Sequence, residues 1–262
     1  MTRCAHLSVI LAALVLVFPC LDAQVEAGRG GAKQRPQNAK AGAPIDLTGY
    51  WVSLVTQDWR LRMVTPSKGD YTGIPLNAEG RKIADTWDPA KDEAAQQQCK
   101  GYGAPALMRV PGRLHITWQD DETLKVEMDS GMQTRLFWFG APQASSGDWQ
   151  GISRASWEYL PAAVADTLGF NRGAVDRRAG SLKVVTSKFR SGYLRKNGVP
   201  YSENTVLTEY FDRVTEPNGN SYLVVTATVE DPTYLNAPFL FSEFFRKQAD
   251  ASGWNPAPCV AK

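Results

Sequence analysis

Residues 113–139 read RLHITWQDDETLKVEMDSGMQTRLFWF, and the period of this stretch decides the fold. Leu114, Ile116 and Trp118 alternate with His115 and Thr117, and Leu124, Val126 and Met128 alternate with Lys125 and Glu127. Successive side chains of a strand point to opposite faces, so this alternation is the mark of half-buried strands. Asp120-Asp121-Glu122 and Asp129-Ser130-Gly131 supply turn residues between them. Keeping the apolar faces in register across the first turn sets His115 opposite Glu127, with Cβ atoms about 5 Å apart. The same alternation assigns Gln133 and Arg135 to the polar face, with Arg135 within diagonal reach of Glu127.

Working outward, the pattern repeats. Upstream, DLTGYWVSLV from Asp46 and WRLRMVT from Trp59 have the β-branched and aromatic content of strands; downstream come WQGISRASWE, SLKVVTSKF, VLTEYFDRV, SYLVVTATVE and FLFSEFF. With the three strands of the meander this makes ten. One helical stretch interrupts them, from Asn77 to about Gln98, where Asn77 and Asp88-Pro89 read as N-caps of two short helices. Ten strands and one helical insertion imply an all-β, mainly antiparallel fold, a β-barrel or sandwich with one short helical insertion. Two long aperiodic stretches, Tyr159–Gly180 and Ser191–Ser202, are expected as loops at a barrel mouth.

The N-terminus carries a different signal. Arg3, the apolar run Leu7–Phe18 and small residues at Ala23 and Ala27 make residues 1–27 a secretory signal peptide. The run is too short to span a membrane. Residues 28–45, rich in Gly, Ala, Lys and Gln, read as a flexible linker, leaving 46–262 as a single barrel domain. The expected localisation is periplasmic or secreted. Removal of the signal takes Cys4 and Cys20, so Cys99 and Cys259 are the expected disulfide.

Composition narrows the function classes. Twenty-nine basic against 27 acidic residues, with no Lys/Arg run in the body of the chain, leave no footprint for nucleic acid. The mature chain retains one histidine, His115, and no phosphate loop, metal-ligand spacing or nucleophile elbow. No metal or cofactor is expected. A His115–Glu127–Arg135 cluster suits proton transfer, with Glu127 orienting the imidazole and Arg135 stabilising negative charge; the same residues also fit a solvated outer face with ordinary ion pairs. Phe137, Phe139, Tyr210 and Phe211 are candidate walls of a ligand cavity, with Glu209 a candidate polar anchor beside an arginine.

Gly49-Tyr50-Trp51, on the first strand after the signal and linker, resembles the G-x-W element of lipocalins. The resemblance implies a lipocalin-like barrel in which Trp51 packs across the closed end under a late-strand arginine, Arg213 or Arg246. The chain is also similar to a group of uncharacterised exported bacterial proteins through Gly151-x-Ser153, Trp157-Glu158, Leu207–Arg213 and Val229–Phe239. Together these readings lead to an exported barrel binding a small apolar or amphipathic molecule. The alternatives are an isomerase, cyclase or lyase using acid/base residues in the same barrel, and an envelope protein with a filled core.

Overall fold

The computed structural model describes residues 38–143, 148–159 and 180–262. The expected signal peptide and the first part of the expected linker, within residues 1–37, lie outside them, as do residues 144–147 and 160–179. Nine strands close into a barrel: β1 (Gly49–Leu54), β2 (Arg113–Trp118), β3 (Thr123–Met128), β5 (Gln133–Trp138), β6 (Ile152–Tyr159), β7 (Gly180–Ser187), β10 (Val206–Thr215), β11 (Ser221–Glu230) and β12 (Phe239–Lys247). The short strands β4 (Ser130–Gly131) and β13 (Ala257–Pro258) pair in parallel, and β8 (Gly192–Arg195) and β9 (Val199–Tyr201) form a hairpin.

Nine of the ten expected strands are these barrel strands. The exception is WRLRMVT, whose Trp59–Met63 forms a short helix, α2, outside the sheet. Its aromatic and β-branched content suits a strand, but it meets no sheet neighbour. The helical stretch does form two helices, α3 (Ala78–Ala84) and α4 (Pro89–Ala94). Asn77 and Asp88 cap them through bonds to the Gly80 and Ala90 amides. Within residues 38–45, read as linker, Ala39–Gly42 forms α1, tied to the β2–β3 turn by the Lys40 amide on the Asp121 carbonyl.

The barrel neighbours follow chain order around the ring. An odd number of strands cannot alternate in direction all the way round a closed ring, so one neighbouring pair must be parallel. That pair is β5 and β6, joined only through Phe137 opposite Ser153 and Trp138 opposite Arg154. Every other barrel pair is antiparallel.

Two apolar cores result. One fills the barrel with Trp51, Leu114, Ile116, Phe137, Phe211 and Phe245. The other joins the far end of the barrel, through Leu207, Ala227 and Val229, to a cap formed by the helical insertion and the β8–β9 hairpin. Trp51 is wholly buried, its indole donating to the Leu47 carbonyl at 2.9 Å. The cation over its ring is Lys247, with Nζ 4.5 Å from the centroid. Arg246 is exposed, because the residue after Phe245 on β12 points outward, and Arg213 instead donates to the Asp46 carbonyl. Gly49 has φ of +101°, and a Cβ there would lie 2.6 Å from Lys247 Nζ, so this glycine makes room for the cation.

Candidate functional site

The expected pairing of His115 with Glu127 is present in the register, Nδ1 to Oε2 at 3.1 Å, on the outer face of the barrel. His115 stacks on Tyr50 with ring centroids 4.1 Å apart, and Trp254 of the C-terminal tail packs edge-on against both. Lys125 Nζ also meets Glu127, at 3.1 Å. Arg135 is not with them. It pairs directly with Val126, on the interior face, because the β3–β5 turn takes left-handed conformations at Gly131 and Met132 and reverses the assumed parity. The three residues therefore do not share a site.

Inside the barrel Arg135 meets Glu209. Nη1 to Oε1 is 2.9 Å and Nη2 to Oε2 is 2.5 Å, with both side chains essentially without solvent contact. Thr186 Oγ1 accepts from Nη2 at 3.2 Å and pairs with Ser153 Oγ at 2.8 Å. Phe137 and Phe211 are fully buried and pack on each other at 5.3 Å, under the Arg135 guanidinium. Phe139 lies at the Trp51 end with Trp118 and Trp157, its centroid 5.7 and 5.1 Å from theirs. Tyr210 faces outward under Lys183, since it alternates with the interior-facing Glu209 and Phe211.

A pocket opens instead outside the barrel strands, among α2 and the residues after it, the segment 101–111, β8 and Lys262, with a volume of about 390 Å³. This lies within the range of small-molecule sites. Its apolar walls include Leu61, Met63, Val110 and Leu194, and its cationic lining is Arg62, Arg109, Arg195, Lys196 and Lys262. Among the described residues no Asp or Glu side chain lines it.

Three segments bring the arginines together. Arg62 comes from α2, and its Nε donates to the Arg109 carbonyl at 2.9 Å, which aims the guanidinium. Its side chain is 2% exposed, and Nη2 has no hydrogen-bond partner among the described residues. Arg109 follows α5 (Ala104–Leu107), stands over the Phe239 and Phe241 rings at 5.2 and 5.4 Å, and binds Asp58 at 2.9 Å. Asp58 precedes α2 in a left-handed conformation (φ 50°) and gives its carboxylate to Arg109 instead of capping the helix. Arg195 is held from β8 by the Asp70 and Thr72 carbonyls.

Behind the arginines, on the interior face of β12, lies Glu243. Its Oε2 is 2.5 Å from Arg62 Nη1 and its Oε1 is 3.6 Å from Arg109 Nε. Burial pushes this carboxyl up to about 7, against the pull of Arg62 and Arg109. Burial and the repulsion of Arg109 lower Arg195 to about 10. Three guanidiniums, Arg62, Arg109 and Arg195, thus meet two carboxylates, Asp58 and Glu243, and an incoming anion would balance the remaining positive charge.

Cys99 and Cys259 form a disulfide with Cα atoms 5.2 Å apart, joining the tail to the cap beside the pocket residue Gly101. Among the described residues no group of three or more His, Cys, Asp or Glu side chains is placed to hold a metal ion, and no helix is long and apolar enough to cross a membrane. No family model, curated protein or solved structure matches the chain.

The arginine cluster was not visible as a motif. Its members are scattered along the chain, and the one local signal is an arginine set among apolar residues in aperiodic segments, as in Leu61-Arg62-Met63, Arg109-Val110 and Leu194-Arg195.

Proposed function

We propose that the protein is an exported carrier for a small amphipathic anion. The ligand's acid group would lie on Arg62, Arg109 and Arg195, and its apolar body against Leu61, Val110 and Leu194. The observation that carries this reading is Arg62, a buried guanidinium on the wall of a pocket with one nitrogen that has no hydrogen-bond partner among the described residues. A buried donor left unpaired costs about 1–3 kcal/mol, more when charged, and an oxyanion seated there recovers it. The disulfide suits an oxidising compartment, which supports export. The lipocalin-like start at Gly49-Tyr50-Trp51 agrees with a carrier, with the ligand site beside α2 and β8, outside the barrel.

The test is titration with 8-anilinonaphthalene-1-sulfonate, followed by fluorescence and by native mass spectrometry. The wild-type chain should bind it one-to-one. Arg62→Met in an Glu243→Gln background, which leaves no buried carboxylate stranded, should weaken binding about ten- to hundredfold. This is the worth of one charge-assisted hydrogen bond. Absence of saturable binding, or equal affinity in the double variant, would remove the carrier reading.

A further inference from the structure

The rim of the pocket is as unusual as its lining. Trp59, Met63 and Val64 are 64%, 60% and 67% exposed, three large apolar side chains grouped on and just after α2. Trp59 and Met63 are four residues apart, so they share one helix face. Met63 and Val64 also line the pocket, which makes the apolar rim continuous with the cationic interior. Arg60, 61% exposed at its side chain and 3.1 Å from Asp70, flanks the rim.

From this arrangement we infer that α2 docks the mouth of the pocket onto a lipid surface bearing anionic headgroups. Charge complementarity and size favour this occupant. The pocket and its rim gather Arg60, Arg62, Arg109, Arg195, Lys196 and Lys262 against the side-chain carboxylates of Asp58, Asp70 and Glu243, an excess of positive charge that attracts an anionic surface more than a neutral one. Three side chains, each about two-thirds exposed, offer well under the area that a stable protein interface buries on each partner. That area suits shallow insertion at the headgroup level, where a Trp ring is well placed. The surface stands on its own residues. Only its use, passing an amphipathic anion between bilayer and pocket, rests on the carrier reading.

The experiment is co-sedimentation of the full chain with vesicles of phosphatidylcholine, with and without phosphatidylglycerol. The chain should sediment with the anionic vesicles and stay in solution with the neutral ones. Trp59→Ser should weaken vesicle binding about tenfold, Trp59→Tyr should restore most of it, and neither should change affinity for 8-anilinonaphthalene-1-sulfonate, because Trp59 does not line the pocket. Failure to sediment with anionic vesicles, or equal sedimentation of Trp59→Ser, would overturn the docking proposal while leaving the carrier reading to its own titration. A dimer in solution that Trp59→Ser disperses would also overturn it, by assigning the patch to a second copy.

Discussion

Glu209→Gln removes one half of the ion pair at the centre of the barrel and leaves Arg135 charged. The pair makes two short contacts, 2.9 and 2.5 Å, at 0% and 1% side-chain exposure, so no water compensates the loss. Breaking such a pair from one side typically costs about 3–5 kcal/mol. For a domain of this size each kcal/mol lowers Tm by about 2–4 °C, so the variant should melt roughly 6–20 °C below wild type. Replacing both partners, Arg135→Met with Glu209→Leu, should behave differently. Ser153 and Thr186 already bond each other at 2.8 Å, and Phe137 and Phe211 offer apolar contacts, so no polar group is stranded. The double variant should lie within about 1 kcal/mol of wild type or above it. Urea unfolding of the four chains, read by tryptophan fluorescence and circular dichroism, gives the cycle. A loss below about 1 kcal/mol for Glu209→Gln, or a double variant worse than either single one, would refute the reasoning.

Two further outcomes follow from groups near the pocket. Glu243 is raised to about 7 from 4.5, so between those values the folded chain holds a proton that the unfolded chain has lost. Stability should therefore fall as pH rises from about 4.5 to 7, by up to about 3 kcal/mol, and Glu243→Gln should flatten the slope; urea midpoints at about pH 5 and pH 8 measure it. Reducing the Cys99–Cys259 bond, which spans 160 residues, should destabilise the chain by about 2–5 kcal/mol, seen as a lower Tm in dithiothreitol and no change in a Cys99→Ala/Cys259→Ala variant.

The barrel was legible because period-two alternation is a local property. Leu114, Ile116, Leu124 and Val126 declare their face without reference to the rest of the chain. Alternation alone puts Arg135 on the outer face, because parity after a turn depends on the backbone of Gly131 and Met132, which composition does not reveal. Trp59–Met63 shows the same limit from another side: its residue types suit a strand, but no strand is available to pair with it. The helix caps at Asn77 and Asp88 were readable because a cap is chemistry between neighbours. The arginine pocket is assembled from three distant segments, and nothing in its spacing announces it. The covering of Trp51 by Lys247 instead of an arginine turns on a single position along β12.

The parallel junction of β5 and β6 sets how this ring moves. Parallel ladders are slightly weaker per residue, and this one holds only two residue pairs, whereas β10 and β11 share ten. Thermal fluctuation of the ring will therefore concentrate there, with the strands on either side swinging as two panels about a slack stitch. The girth of the barrel is held least firmly beside Ser153, next to the Arg135–Glu209 pair. That buried pair thus serves as an internal buckle across the place where the closed sheet is least closed.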